Sequence, residues 1–352
     1  MNTKRNKRLW LLGLVLISVA GCNSTQQADQ GSKQAGGGKA PLQAALVLDT
    51  GGVDDKSFNA GAWAGLQRAM KQLGVKGRYA ESQTPADYKT NLTQFASNGY
   101  DVVFAIGYKM ADALKEVAPQ FPNVKFAIVD SEAPNLPNCE GLVFKEEQGS
   151  FLAGFLAASM SKTKKIGFVG GEQIPLIEKF EAGYMAGAKT ADPSVQVLSA
   201  YTGDWNDLEK GKLDANQEFA SGADIIYHAA GKAGLGVIEA AREKGDGYYA
   251  IGVDQDQDQV AKGRVLTSMV KHVDNAIFDT IQRLQQDQFT PGTRVYGLKE
   301  SGVGLSEMKY TRNQIPSAVL EKLQKLTRMI ADGQAVPPTT LEGVKSFTPP
   351  KL

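Results

Sequence analysis

The chain has 352 residues, with 39 basic and 38 acidic side chains and a formal net charge of +1 at pH 7. No basic patch stands out along the sequence, which argues against a nucleic acid partner. Roughly 310 residues follow the N-terminal segment, more than a single hydrophobic core usually holds, and this length favours two lobes.

The first 22 residues have the build of a bacterial lipoprotein signal peptide. An apolar run over residues 9–19 is preceded by a basic stretch with Lys4, Arg5, Lys7 and Arg8. That run is shorter than the roughly 20 residues that a membrane span needs. The sequence Val-Ala-Gly-Cys at residues 19–22 resembles a lipobox, which implies cleavage before Cys22 and diacylation of its thiol. The alternative is a plain signal peptide with an incidental cysteine.

Residues 23–40 are rich in Gln, Ser, Gly and Ala, so we expect a flexible tether there. Loss of residues 1–21 removes four basic side chains and leaves a net charge near −3. With Cys22 lipidated, Cys139 remains alone and no intramolecular disulfide forms. We therefore expect a cell-envelope protein, held by lipid at the cell membrane or on its periplasmic face.

Strands and helices alternate from residue 42 onward, in two successive series. In the first series, strands are predicted over 42–48, 76–81, 101–106, 124–129 and 142–144, and helices over 60–73, 85–98 and 110–117. A helix over 148–161 leads into the second series, with strands over 165–169, 195–201, 224–227, 248–253 and 265–269. The helices of that series cover 175–189, 207–221, 231–244 and 272–286. This alternation predicts an α/β fold with parallel sheets in two similar lobes.

The functional prediction depends most on the loop after the first strand, residues 49–59. In open parallel sheets, ligands bind just past the carboxyl ends of the strands. Phe58 is a large aromatic in a polar stretch that also holds Ser57 and Asn59. It is either a hydrophobic staple of the following helix or a platform for a flat ligand. Phe180 is either a core residue or a second such ring, and the two rings would then sandwich a planar base.

Aspartates stand at the ends of three predicted strands, at Asp49, Asp130 and Asp254. Each one alone is explained by a helix cap or a solvated loop acid. Three at the equivalent rim of parallel strands favour hydrogen bonds to ligand hydroxyl or ring N–H groups. Lys271 follows another strand, where an isolated lysine is usually solvated.

Other stretches that resemble metal, phosphate or catalytic motifs lack the residues or the spacing that these motifs require. Residues 254–258 alternate acids like a calcium loop, but Gln259 and Val265 stand where an EF-hand has Gly and Glu. Residues 231–236 are glycine-rich but lack the ending of a P-loop, and no G-x-S-x-G elbow occurs. His228 and His272 have no partner at metal-ligand spacing. We therefore expect neither a metal nor a cofactor.

Several stretches together resemble the basic membrane protein family of bacterial lipoproteins, the purine nucleoside receptor group of ABC transporter substrate-binding proteins. The most specific stretch is Asp-Thr-Gly-Gly-Val-Asp-Asp-Lys-Ser-Phe-Asn at residues 49–59. Supporting stretches lie at residues 101–107, 126–130, 148–154, 180–183 and 251–256, and residues 270–271 match more weakly. The resemblance covers nearly the whole chain after the signal peptide.

The resemblance implies a type I periplasmic-binding-protein fold, with two Rossmann-like lobes and a ligand between them. The chain is expected to cross between the lobes three times, near residues 145, 269–271 and 298–302. The N-terminal lobe is expected to hold residues 41–146 and about 271–299. The C-terminal lobe is expected to hold residues 147–270 and about 300–347.

The resemblance also implies roles for individual residues. In this family the base stacks between two aromatic rings, which correspond here to Phe58 and Phe180. The purine edge is read by an acid, here Asp130, and the ribose is held by Asp254, Lys271 and the glycine at Gly231. The remaining pocket wall corresponds to Asp49, Ser57 and Asn59. The chain departs from the family at residues 108–110, Tyr-Lys-Met, where smaller side chains are expected, and matches it only approximately at residues 229–232.

The leading interpretation is a lipid-anchored protein that captures nucleosides, with purine nucleosides expected, and delivers them to an ABC permease. A neutral nucleoside suits a site without a basic cluster, whereas a phosphorylated nucleotide does not. The alternatives are a receptor for a sugar, an autoinducer or another small ligand on the same fold, and a surface adhesin. A nucleosidase is the least supported, so we expect no enzyme activity, and we expect a monomer.

Overall fold

The computed structural model describes residues 40–352. The predicted signal peptide, its Cys22 and residues 23–39 of the predicted tether lie outside the described residues. Between residues 40 and 352, no helix combines the length and the hydrophobicity needed to cross a membrane.

Two six-stranded sheets form the frame of the described chain. The strands are β1 (Gln43–Leu48), β2 (Lys76–Glu81), β3 (Val102–Ile106), β4 (Lys125–Val129), β5 (Cys139–Phe144), β6 (Lys165–Gly170), β7 (Gln196–Tyr201), β8 (Ile225–Ala229), β9 (Tyr249–Asp254), β10 (Val265–Lys271), β11 (Gly292–Tyr296) and β12 (Val303–Leu305). The first sheet has the order β2-β1-β3-β4-β5-β11 and the second the order β7-β6-β8-β9-β10-β12. Neighbouring strands are parallel except β10 and β12. The predicted α/β class with two parallel sheets is therefore confirmed.

Helices cover both faces of the sheets. They are α1 (Phe58–Leu73), α2 (Asp87–Ser97), α3 (Ala111–Val117), α4 (Glu146–Met160), α5 (Pro175–Ala191), α6 (Leu208–Ala220), α7 (Gly234–Lys244), α8 (Val273–Gln285), α9 (Ser317–Ala331) and α10 (Leu341–Ser346). Successive side chains of β1 point to opposite faces, so Leu46 packs in the core with Leu66 of α1, whereas Val47 packs with Leu92 of α2. Burial on both faces explains why β1 is an uninterrupted apolar run.

The chain passes between the two sheets at three places. Lys145 connects β5 to α4, which packs against α5, and His272 connects β10 to α8, which packs against α1. Residues 297–302 connect β11 to β12. The three passages are joined by backbone hydrogen bonds, from Lys145 N to Tyr296 O (3.0 Å) and from His272 N to Gly302 O (2.8 Å).

The sequence pattern did not predict the elements after residue 286. Strand β11 leaves most of its side chains exposed or half-buried, and β12 has only three residues, so neither shows a hydrophobic period. Helix α9 buries only Leu323, Leu326 and Ile330. Earlier in the chain the bounds differ by a few residues, since α1 begins at Phe58 and β5 begins at Cys139.

Helices α4 and α5 pack at unusually close range because glycines lie on their contacting faces. A Cβ on Gly154 would lie 1.9 Å from the carbonyl oxygen of Tyr184, and a Cβ on Gly187 would lie 1.9 Å from that of Phe151. Real Cβ atoms do not approach backbone oxygens this closely, so any side chain here separates the helices. Because α4 begins directly after Lys145, this contact also fixes the helix that follows the first passage between the sheets.

We predict that Gly154→Ala lowers the free energy of unfolding by about 1–3 kcal/mol, the range for an overpacked core. The higher helix propensity of alanine offsets only part of this loss. The measurement is urea denaturation, with Gly304→Ala as control, because nothing lies within 4 Å of the Cβ position at Gly304. Equal stability of Gly154→Ala and the unchanged protein would contradict the close contact.

Candidate ligand-binding cleft

The carboxyl ends of both sheets meet around a cleft with a cavity volume of about 80 Å³. This volume lies below the roughly 300–1,000 Å³ of drug-sized sites, so side chains fill most of the space between the sheets. Seven of the nine ligand-binding residues predicted from the sequence line the cleft: Asp49, Phe58, Asp130, Phe180, Gly231, Asp254 and Lys271. They come from both sheets, so the fold brings together residues that lie up to 222 positions apart in the chain.

The other two predicted residues, Ser57 and Asn59, are buried beside the cleft and contact its acids. The Ser57 hydroxyl donates to a carboxylate oxygen of Asp254, and the Asn59 side-chain oxygen accepts a hydrogen bond from the Asp49 backbone N–H at 3.2 Å. The Asp55 carboxylate accepts the backbone N–H groups of Ser57, Asn59 and Ala60. Asp55 thereby caps the first turn of α1 and holds the loop that presents Phe58.

Lys271, the last residue of β10, places a buried cation at the cleft. Its Nζ lies 2.6 Å from Asp130 Oδ1 and 3.1 Å from Glu146 Oε1. Burial opposes the charge of Lys271, but the carboxylates of Asp130, Glu146 and Asp254 outweigh it and raise the pKa of the ammonium. Burial raises the pKa of Asp130, although Lys271 acts in the opposite direction.

Three aromatic rings surround the same ammonium. Its nitrogen lies 5.3 Å from the ring centre of Phe58, 5.6 Å from that of Phe180 and 5.0 Å from that of Phe144. Phe58 comes from the first sheet's α1 and Phe180 from the second sheet's α5, so aromatic side chains approach the cation from both sides of the cleft. Each ring within about 6 Å of a cation adds a favourable electrostatic contact.

Asp130 and Asp254 have the same unusual backbone conformation. Each stands directly at or after the end of a parallel strand, with φ of 66° and 63° respectively. Non-glycine residues rarely adopt this left-handed conformation, and where they do it is often at a functional site. Burial raises the pKa of Asp254 to about 6, against the opposing effects of Lys271 and the Ser57 hydrogen bond.

Polar contacts join the two sides of the cleft at its mouth. Tyr108, after β3, donates its hydroxyl to Glu172 Oε2 at 2.8 Å, and Lys109 lies 2.5 Å from Glu172 Oε1. Burial opposes the charge of Glu172, but the bonds from Lys109 and Tyr108 outweigh it and hold its pKa below the usual value. The Lys109 ammonium also lies 5.8 Å from the ring centre of Trp205, which lines the cleft.

Sequence reasoning did not identify several residues as part of the cleft. They are Gly107, Tyr108, Leu176, Ile177, Trp205, Ala229 and Val253 in the lining, together with Glu146 beside Lys271. The bulky Tyr108 was noted only as a departure from a family pattern. Trp205 could have been found from the sequence, because it follows the carboxyl end of β7. Residues at such positions face the ligand cleft in parallel sheets.

We predict that Asp254→Asn raises the free energy of unfolding at pH 8 by about 1–3 kcal/mol, because the variant carries no buried charge there. The pKa of about 6 in the folded protein exceeds the ordinary pKa of an aspartate, so the folded protein loses stability as pH rises between these two values. The gain should vanish near pH 4, where the carboxyl is protonated. Urea denaturation at both pH values measures it.

The control is Asp192→Asn, for which we expect the opposite change in the free energy of unfolding at pH 8. Hydrogen bonds from Ser194 and Lys164 lower the pKa of Asp192 to about 2, so its charge stabilises the folded state at neutral pH. Asp192→Asn should therefore be less stable than the unchanged protein at pH 8. Lower stability of Asp254→Asn than of the unchanged protein at pH 8 would contradict the prediction, because the buried Asp254 carboxylate would then stabilise the folded protein.

Comparison with known proteins identifies the family of the chain. The family model described as "ABC transporter substrate-binding protein PnrA-like" matches residues 42–334. The chain is 39% identical to a CD4+ T-cell-stimulating antigen of Listeria monocytogenes over 93% of its length and 97% of that protein. It is 37% identical to basic membrane protein A of Borreliella burgdorferi, with 86% and 89% covered.

Solved structures agree with this result. An ABC transporter solute-binding protein of Aeropyrum pernix K1 superposes with a TM-score of 0.79 and 26% identity, covering 87% of this chain and 96% of that one. A solute-binding protein of Conexibacter woesei gives a TM-score of 0.71 and 25% identity, with 85% and 99% covered. The predicted fold of two lobes built on parallel sheets is confirmed by these neighbours. The chain belongs to the family of PnrA-like substrate-binding proteins of ABC transporters, which includes the basic membrane proteins.

Proposed function

We propose that the cleft binds a nucleoside, with purine nucleosides as the expected class, for delivery to an ABC permease. The single observation that carries this proposal is the placement of Phe58 and Phe180 on opposite sides of a cleft that also holds buried carboxylates and one ammonium. A flat base offers two faces to aromatic rings, and its ribose offers hydroxyl groups to charged partners.

The charge balance of the cleft supports a neutral ligand. Among the described residues that line it, three aspartates stand against a single lysine, and the nearby Glu146 adds a further carboxylate. Buried carboxylates need hydrogen-bond donors, which ribose hydroxyl and base N–H groups supply. A phosphate would instead add charge of the same sign, so nucleotides should be rejected.

The proposed residue roles follow the positions around Lys271. Phe58 and Phe180 stack on the base, Asp130 accepts hydrogen bonds from the base edge, and Asp254 accepts them from the ribose. Lys271 donates to the ribose and Gly231 lets the ligand approach the backbone. Because the Lys271 ammonium lies 2.6 Å from Asp130, it links the base-side acid to the ribose side. Ser57, Asn59 and Asp49 support this wall, with Ser57 acting through its hydrogen bond to Asp254.

The cross-cleft contacts support a protein that encloses its ligand. Glu172 accepts contacts from Tyr108 and Lys109 on the opposite side of the mouth, and Ser57 reaches Asp254 across the same divide. Closure of two lobes about a hinge both shields a ligand and creates a shape that a permease can recognise. The family is a transport family rather than an enzyme class, and we propose a monomer without catalytic activity.

We predict that the chain from Asn23 onward, refolded to remove bound ligand, binds inosine, guanosine or adenosine in isothermal titration calorimetry. Ribose alone, cytidine and the corresponding 5′-monophosphates should bind far more weakly. Phe58→Ala and Phe180→Ala should each weaken nucleoside binding by about 5- to 150-fold, the range for loss of one base-stacking ring. Asp254→Ala should weaken nucleosides more than free bases, because it is assigned to the ribose.

A matched control is Phe289→Ala, since Phe289 contacts Lys125 far from the cleft and should leave binding unchanged. Tight binding of a sugar that is insensitive to Phe58→Ala would favour a sugar receptor. The absence of heat with every nucleoside would overturn the proposal, and a role in adhesion would then have to be tested with the cleft intact.

We also propose that Cys22 carries a lipid anchor, as its position after the apolar run indicates. The chain produced in a bacterial host should partition into Triton X-114 and incorporate labelled palmitate. Cys22→Ser should abolish both, whereas Cys139→Ser, which changes a buried thiol, should retain them. Partitioning of Cys22→Ser into the detergent phase would contradict the anchor.

A further inference from the structure

Glu146 has no role in the ligand contacts assigned above, yet it is fully buried beside them. It is the first residue of α4 and follows Lys145, where the chain first passes between the sheets. Its Oε1 lies 3.1 Å from the Lys271 ammonium, and its Oε2 lies 3.5 Å from the half-buried Lys179 of α5. A buried carboxylate is retained only where cations or donors compensate it, and here the nearer compensating cation is also the one that faces the cleft.

Glu146 and Lys271 lie next to two of the three passages between the sheets. Lys271 ends β10 and is followed by His272, the second passage, whereas Glu146 follows the first. Both passages are hydrogen-bonded at the ends of the third, to Tyr296 directly before it and to Gly302 within it. The ion pair between Glu146 and Lys271 therefore adds a side-chain connection where the backbone segments already meet.

We propose that Glu146 is a positioning residue, which holds the Lys271 ammonium at the edge of the cleft so that one of its donors stays directed at the ligand. The identity of the ligand in this inference rests on the proposed function, whereas the positioning of Lys271 by Glu146 does not. A lysine side chain has about 2 kcal/mol of rotamer entropy to lose on ordering, so a second fixed partner matters for its orientation.

Without Glu146, the ammonium has Asp130 as its nearest remaining partner, at 2.6 Å. Lys271 would then be drawn fully onto the acid that is proposed to accept hydrogen bonds from the base. The same change removes one of the three carboxylates that keep the buried ammonium charged. Glu146 thus acts on the ligand through Lys271 and makes no direct contact with it.

The test is a double-mutant cycle with inosine as the titrant. Glu146→Gln keeps the shape of the side chain and should weaken inosine binding about tenfold, within the coupling range of contacting residues. In a Lys271→Met background, Glu146→Gln should change inosine affinity by no more than about twofold, because the ammonium through which Glu146 acts on the ligand is absent. Glu146→Asp, which keeps the charge, should recover part of the affinity.

Glu147→Gln is the matched control, since this neighbour is also buried but lines a separate groove beside Lys145 and Glu300. It should bind inosine like the unchanged protein. Independent, multiplicative effects of Glu146→Gln and Lys271→Met would overturn the proposal, as would unchanged affinity of Glu146→Gln.

A second readout needs no ligand and separates this inference from the proposed function. In protein labelled with ¹³C-lysine, the Lys271 resonance is assigned by its loss in Lys271→Met. At pH 7, Glu146→Gln should change the chemical shift of the Lys271 ε-carbon, because its ammonium loses the contact with Glu146 at 3.1 Å, whereas Glu147→Gln should not. If the unchanged protein binds no nucleoside, the proposed function fails while this shift still supports the positioning role. An unchanged chemical shift of the Lys271 ε-carbon in Glu146→Gln would overturn that role in either case.

Discussion

The structure depends on one buried cation. The Lys271 ammonium is almost inaccessible to solvent, and it remains charged because Asp130, Glu146 and Asp254 surround it. A buried charge without partners is strongly unfavourable, so the segments that carry these acids must meet where β10 ends. Asp130 follows β4 of the first sheet and Asp254 ends β9 of the second, and their convergence on Lys271 defines how the two sheets face each other.

The same arrangement supports the proposal of a neutral ligand that is rich in hydrogen-bond donors. Its carboxylates exceed its ammonium groups, and their desolvation is only partly compensated within the protein. Phe58 and Phe180 supply apolar faces on either side, while Tyr108, Lys109 and Glu172 join the two sides at the mouth. This combination fits the capture of a small molecule by a member of the PnrA-like substrate-binding family. The buried carboxylates lower the free energy of unfolding, and in return they remain available to a ligand.

Much of the fold could be predicted because its strands are buried on both faces. An uninterrupted apolar run such as residues 44–48 is typical of a parallel strand under two layers of helices, and the pattern recurs through both series. The prediction ended after residue 286 because β11, at the edge of its sheet, has an exposed face, and β12 is held by pairing with β10. Such elements exist through tertiary contacts and carry little hydrophobic pattern of their own.

The sequence by itself determined the lobes' strands, the loop at residues 49–59 and the acids at strand ends, because these follow from local periodicity and from the rule that parallel strands share an edge. The tertiary structure alone decided which charges meet. Lys271 approaches Asp130 and Glu146, more than 120 positions away, and Tyr108 approaches Glu172 across the cleft. No local pattern encodes these distances, because they arise only when two separately wound sheets pack and the chain passes between them three times.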